Sequence, residues 1–410
     1  MYKLKVFFST LNIVLVLIGY QFISTFFAAT ISTEGSQFIT IPYRVVTIFV
    51  SLIVIFLNFR EKFKLQLVLK ILFIYWILLL SRFFYDVYYR TDLMLDSVKV
   101  FQTWSYMLLF GLLPTIAIIK SSKYINLDKA LLFTYILAAI SVILSFISNT
   151  EFTEATDIRL GSSEALNSIS TGHLGLTTFI LSLYLLSQRR FGIIYKIAVI
   201  FITILSFILL MRAGSRGPLL SLMCLLAVYI FGHSKHKINN LLVLSIFFII
   251  GWLTIDYILE GIKSISPILH ERLLYRQEAG QFDDRNPLYQ YAWESFLQNP
   301  IIGKNFAVYT NYGWFIYAHN VFLDSIMQLG IIGGILITYL LWKSVSKTIN
   351  LISTGSSCFW LGLLLIQLIS KIMVSGSFYT EPAISCLIAL LFSLDNKNIL
   401  YQYQYHLDHQ

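Results

Sequence analysis

Charge is scarce in this chain. Only 12% of its 410 residues are Asp, Glu, Lys or Arg, while 57% are hydrophobic and the mean hydropathy is +0.74. That balance cannot build a water-soluble domain. Cysteine is scarcer still. Cys224, Cys358 and Cys386 each lie inside an apolar run, with no metal-ligand or disulfide spacing between them, and read as buried small hydrophobes. There is no nucleotide-binding loop, no Asp-x-Asp pair and no internal repeat, so nucleotide chemistry and a carboxylate-held divalent metal are not implied. The alternating ~10-residue segments of a transmembrane barrel are missing too.

What is there is a succession of long apolar runs. They predict an all-α polytopic membrane protein of about twelve helices. The expected spans are 7–29, 41–59, 65–84, 97–119, 129–148, 166–187, 191–211, 216–232, 240–257, 318–341, 357–375 and 379–395. They form one integral membrane domain over 1–410, with a long loop over 258–317. Basic residues collect in alternate loops, at Lys3 and Lys5, Arg60 to Lys64, Lys120 to Lys129, Arg189 to Lys196, Lys235 with Lys237, and Lys343 with Lys347. Acids collect in the others, at Glu34, Asp86, Asp92, Glu151, Glu154, Asp157 and Glu381. The positive-inside rule then expects both termini in the cytoplasm and loop 258–317 outside. The net charge of +9 is a topology signal and does not point to nucleic acid. Lys3 and Lys5 precede an apolar run too long for a cleaved leader, so a retained first helix is expected.

Against that bias, several polar groups fall on the outer side. In "LLMRAGSRGPLLSL" Arg212 and Arg216 flank a Gly/Pro break, and Pro218 suits a first helical turn. Two guanidinium groups beside the N–H groups of a helix start suit an anion, phosphate above all. The alternative is a tight turn whose arginines reach for headgroups. In the long loop, Pro267 and Asn286-Pro287 each start a helix. The second has an apolar stripe, Tyr289, Trp293, Phe296 and Leu297, expected to face the membrane or the bundle, and Arg285 stands just before it. "YAHNVFLDSIMQLGIIGG" puts His319 at a helix mouth and Asn320, Asp324 and Gln328 on one stripe, which cannot face lipid cheaply. Its glycines read as close-packing positions. Lastly, Arg159 precedes Asn167, Ser170, Thr171 and His173, where a packing role and a ligand role for His173 stand equal.

Three of these stretches, "SRGPLLSL", "DDRNPLYQYAWESFLQNPIIGKNF" and "YAHNVFLDSIMQLGIIGG", resemble in order and spacing the O-antigen polymerase and O-antigen ligase superfamily. The shared pattern is an arginine opening a span, an arginine before an amphipathic helix ending in Pro-x-x-Gly (Pro300 to Gly303), then His-Asn followed by Gly-x-x-Gly (Gly330 to Gly333). The resemblance covers about 157–395.

It implies a metal-independent, GT-C-like glycosyltransferase of a bacterial inner membrane, with no cofactor. The donor would be an oligosaccharide on undecaprenyl pyrophosphate. Arg216 and Arg285 would bind the pyrophosphate, with Arg212 and Arg159 as further candidates, and His319 would assist the acceptor hydroxyl. Asn320, Asp324 and Gln328 would support His319. The acceptor is either a second lipid-linked repeat unit (polymerase) or lipid A–core (ligase), and "SGSFYTEP" at 375–382 looks more like the polymerase branch. Membrane lipid, a chain-length regulator and a flippase are the partners this implies. A flippase or transporter of lipid-linked sugars is the rival of another class, but it would call for a cavity alternating across the membrane.

Overall fold

In a bilayer, backbone N–H and C=O groups have no partner but each other, so apolar runs of this length become helices. The computed structural model describes residues 1–27, 36–61, 65–90, 92–93, 95–147, 151–154, 157–160, 167–188, 192–233, 260–264, 266–267, 269–270, 285–310 and 315–394. In chain order these build α1 (Tyr2–Phe27), α2 (Ser36–Leu57), α3 (Leu67–Tyr89), α4 (Ser97–Tyr124), α5 (Leu127–Ile147), a hairpin of β1 (Glu151–Glu154) and β2 (Asp157–Leu160), α6 (Ser168–Ser187), α7 (Ile193–Arg212) and α8 (Arg216–His233). Then come α9 (Asn286–Gln298), a short ribbon of β3 (Val308–Tyr309) and β4 (Phe315–Ile316), α10 (Val321–Ser353), α11 (Phe359–Ser375) and α12 (Pro382–Ser393).

Among the described residues, eight helices are long and apolar enough to cross a membrane: α1, α3, α4, α5, α6, α7, α8 and α10. The apolar part of α2 (Ile41–Leu57), with α11 and α12, is shorter. The chain is therefore an all-α, multi-pass membrane protein, although the described helices fall short of the twelve expected spans. The span expected at 240–257 lies outside the described residues, as does most of 258–284 with the helix expected from Pro267.

Polar contacts mark two ends of the bundle. At one end Glu61 accepts from Tyr124 Oη at 2.6 Å and pairs with Lys123 at 2.7 Å and Lys5 at 3.5 Å, joining the start of α1 to the end of α4. Lys123 and Tyr124 hold the Glu61 carboxyl well below the usual carboxylate range, at about 2. At the other end Arg90, just past α3, donates to the Lys304 carbonyl at 3.2 Å and to Asn305 Oδ1 at 2.8 Å, and Tyr106 of α4 donates to the Thr380 carbonyl at 3.2 Å. All the candidate residues that the structure describes gather at this second end.

Beneath them lies an aromatic layer. Phe306 meets Phe83 and Tyr379 with ring centroids 4.9 Å apart in each pair, and Phe378 meets Tyr75 at 5.0 Å. Such pairs contribute about 0.5–1.5 kcal/mol each beyond simple burial. The layer fixes the loop after α9 and the turn after α11 to the middle of α3.

The helix α9 forms where Asn286-Pro287 predicts, with Pro near its start. Its packing shows which face meets the rest of the bundle. The buried face is Ala292 and Ser295, packed toward Val308, Ala318 and Met327, while Trp293 is 48% and Leu297 59% exposed. Small side chains let the helix seat closely on the loop that follows it, and this turns the larger part of the apolar stripe outward.

Candidate active site

The helix α10 is two helices. Gly330 has φ 62° and ψ −152°, and the chain breaks there. A Cβ at Gly333 would lie 2.4 Å from the Ser325 carbonyl oxygen, eight residues earlier. In an unbroken helix residues that far apart are about 12 Å apart, so residues 321–329 fold back over the start of the following helix. The expected single span at 318–341 is corrected accordingly. Residues 331–353, at roughly 35 Å, can cross a bilayer alone, and the polar stripe rides on the short segment before the break.

That explains how the stripe is tolerated. Gln328 donates to the Phe306 carbonyl at 2.8 Å, and Asp324 Oδ1 accepts the Ala318 N–H at 2.7 Å. Asn320 caps the segment, accepting from the N–H groups of Phe322 at 3.0 Å and Leu323 at 3.1 Å. Its Nδ2 donates to the Met373 carbonyl of α11 at 3.2 Å. Between these two anchors sits His319, the one non-glycine residue with positive φ (57°) among the described residues. Histidine tolerates this left-handed region better than most, yet it is sparsely populated and persists where the surroundings impose it. The His319 ring lies 4.4 Å from that of Tyr317, centroid to centroid. Burial, then the negative charges of Glu381 and Asp324, push the Tyr317 hydroxyl up, so it stays protonated.

The Pro-x-x-Gly and Gly-x-x-Gly stretches explain each other. Gly303 has φ 73°, and a Cβ there would meet the Gln328 carbonyl carbon at 2.4 Å; a Cβ on Gly330 would meet the Ile301 carbonyl group at 2.4 Å. The Ile331 N–H donates to the Pro300 carbonyl at 2.8 Å and the Lys304 N–H to that of Met327 at 3.0 Å. Backbone packs on backbone, which only glycine allows.

Three of the candidate stretches then converge on the end of α11. Arg285 donates from Nη1 to the Val374 carbonyl, and Asn320 to that of Met373. These are among the carbonyls a helix end leaves without helical partners. A Cβ on Gly217, beside Arg216, would sit 3.8 Å from Val374 Cγ2. Arg216 is the first residue of α8, Gly214 has φ 61°, and Arg212 ends α7 with its guanidinium 5.9 Å from the Phe146 ring centroid. The start of α6 backs this turn: a Cβ on Gly172 would meet Pro218 Cγ at 2.7 Å. Arg159 lies on β2, opposite Phe152, and β2 touches α6. A guanidinium has five N–H donors, so Arg285 can hold Val374 and still offer donors to an anion.

Some residues of this end carry no motif. Asp86 Oδ2 accepts from the Phe306 N–H and from Tyr309 Oη, each at 2.6 Å, and Arg82 pairs with Asp86 at 3.4 Å. Asn305 Nδ2 reaches Tyr291 Oη at 2.9 Å and Ser295 Oγ at 3.1 Å. Together with Arg90 these tie the loop after α9 to α3. Burial and the Asp86 charge push the Tyr309 hydroxyl well up. The spacing of Arg82 and Asp86, four apart near a span's end, is the one sequence signal for this clamp. Among the described residues no group of three or more His, Cys, Asp or Glu is arranged to hold a metal.

The O-antigen ligase family model matches residues 201–338, which include Arg212, Arg216, Arg285, His319 and the stripe. No curated protein matches the chain, and no solved structure does.

Proposed function

We propose that this protein is a membrane glycosyltransferase that moves a lipid-linked oligosaccharide onto an acceptor at the end of the bundle bearing Arg285 and His319. The observation that carries the reading is the convergence of Arg285, Asn320 and the Arg216 turn on the end of α11, the first two on its last carbonyls and the turn beside the Val374 side chain, within a chain whose 201–338 stretch matches the O-antigen ligase family.

In the transfer, an acceptor oxygen attacks the anomeric carbon, and the bond from that carbon to the pyrophosphate oxygen breaks. The electron pair leaves with undecaprenyl pyrophosphate, whose growing charge Arg285 and Arg216 stabilise, with Arg212 and Arg159 nearby in the chain's order of elements. Pyrophosphate is a good leaving group, so no strong acid is needed. The acceptor proton goes to His319, whose imidazole can accept it as a general base. Attack from the back inverts the anomeric carbon. Orientation with this end outside the inner membrane and both termini cytoplasmic follows from the loop charges.

The family match favours the ligase reading, with lipid A–core as acceptor, over the polymerase that "SGSFYTEP" alone suggests. Purified protein in detergent, given lipid-linked oligosaccharide with either lipid A–core or more lipid-linked unit, separates the two. A ligase makes product only with the first, a polymerase with the second, and a flippase with neither.

A further inference from the structure

A separate cavity of about 300 Å³ lies between the N-terminal helices and α11–α12. It reaches α11 at Lys371, within a turn of the carbonyls held by Asn320 and Arg285. Two features mark it as more than a packing gap. First, both π-helical stretches of the described chain, Leu15–Gly19 in α1 and Tyr106–Leu112 in α4, line it. A π turn leaves a helix wider and its carbonyls poorly paired, a cost usually found at functional sites; here Tyr43 Oη donates to the Leu15 carbonyl at 3.0 Å. Second, its polar lining is incompletely satisfied. His173 is 1% exposed and lines the cavity; its Nδ1 lies 3.5 Å from Gln367 Nε2, and its Nε2 has no hydrogen-bond partner. Gln21 Oε1 is likewise buried and unsatisfied. Buried polar atoms of this kind cost about 1–3 kcal/mol each when nothing fills the site.

The charges specify the occupant. Lys371 pairs with Glu381, so these two offset each other. Arg44 has no carboxylate partner among the described residues; its guanidinium lies 5.9 Å from the Tyr106 ring centroid and 5.8 Å from that of Phe110. A cation lining a cavity one turn inside an apolar helix calls for an anion. A lipid chain would find no match for His173, Gln21, Lys371 and Glu381. A bare phosphate would leave the aromatic wall and the acceptor Gln21 Oε1 unused. We propose that this cavity binds an anionic sugar: a pyranose ring whose hydroxyls meet His173 and Gln21, whose face lies on the aromatic wall, and whose carboxylate or phosphate meets Arg44. The inference rests on the glycan-transfer reading, and it makes an acidic residue of the glycan a recognised part of the substrate.

The test is ligand-observed NMR on the full chain in detergent, with glucuronic acid, glucose 1-phosphate and glucose as probes and inorganic phosphate as competitor. One of the two charged sugars, or both, should saturate, with glucose weaker by at least ~tenfold, the loss of one charged hydrogen bond; which of them binds identifies the anion. Arg44→Gln should remove that preference, and Ala383→Leu, which fills the cavity without deleting a hydrogen-bonding group, should abolish binding. Glucose binding as well as the charged sugars, inorganic phosphate displacing them at equal concentration, no saturation by either charged sugar, or binding unchanged in Ala383→Leu would each overturn the proposal. Ala383→Leu decides alone if Arg44→Gln does not fold. Arg285→Ala should leave this binding intact, so loss of transfer and loss of sugar binding are read independently.

Discussion

Gly303 and Gly330 interlock through the backbone just before each of them: a Cβ on Gly303 would strike the Gln328 carbonyl group, and a Cβ on Gly330 that of Ile301. Both have left-handed φ, 73° and 62°. The lock joins the loop after α9 to the break in α10, and so joins the element that carries Arg285 to the one that carries His319.

Gly303→Ala and Gly330→Ala should each therefore be costly. A Cβ at 2.4 Å from backbone cannot be relieved by a side-chain rotation, and overpacking of this kind costs typically ~1–3 kcal/mol before the left-handed backbone is counted. Both variants should show a lowered thermal midpoint in detergent and lose transfer. Wild-type melting and turnover in either variant would mean that the two stretches do not hold each other.

How much of this was legible in the sequence depends on the residue. The polar head of "YAHNVFLDSIMQLG" is legible, because groups four apart on a helix share a face whatever surrounds them. The break at Gly330 is not, because a glycine inside an apolar run reads equally as a packing site; only the backbone of Pro300 and Ile301 beside it forces the turn. The face that α9 buries is also hidden, since Ala292 and Ser295 carry little apolar signal and seat the helix by being small. The α3 clamp of Arg82, Asp86 and Arg90 reads in sequence as loop charge, and its partners lie over two hundred residues away. The Arg44 cavity is assembled from helices at opposite ends of the chain, which no spacing reveals.

Arg285→Lys separates a fork from a point charge. Arg285 is expected to hold Val374 and the donor together, and lysine lacks the second arm. Transfer should fall nearly as far in Arg285→Lys as in Arg285→Ala, by ~2–4 kcal/mol of transition-state stabilisation. Full turnover in the lysine variant, at equal protein level, would reduce Arg285 to a simple positive charge.

Stability should fall in acid through Glu61. Its carboxyl titrates at about 2 when folded, held down first by Lys123 and then by Tyr124, against about 4.3 when unfolded. The depressed value makes its contribution fully present above the unfolded value and lost as pH drops from about 5 toward 2. Melting in detergent across that window should show a decline that Glu61→Gln makes shallower. Parallel curves for the two proteins would assign the acid sensitivity elsewhere.

Trp293 is half exposed on the outward face of α9, with Leu297, Ile301 and Ile302 exposed nearby. This row suits the membrane interface. In vesicles, lipids brominated near the headgroup should quench more of the tryptophan fluorescence in wild type than in Trp293→Phe. Equal quenching in both would put α9 in water, away from an incoming lipid-linked donor.

The most direct measurement is single-turnover transfer by His319→Ala and His319→Gln, purified, with lipid-linked oligosaccharide and lipid A–core. The account predicts normal insertion, retained donor binding and turnover reduced roughly a hundredfold or more, because His319, set between the anchors of Asp324 on Ala318 and Asn320 on Met373, takes the acceptor proton. Near-normal turnover in folded, donor-binding His319→Ala would contradict it.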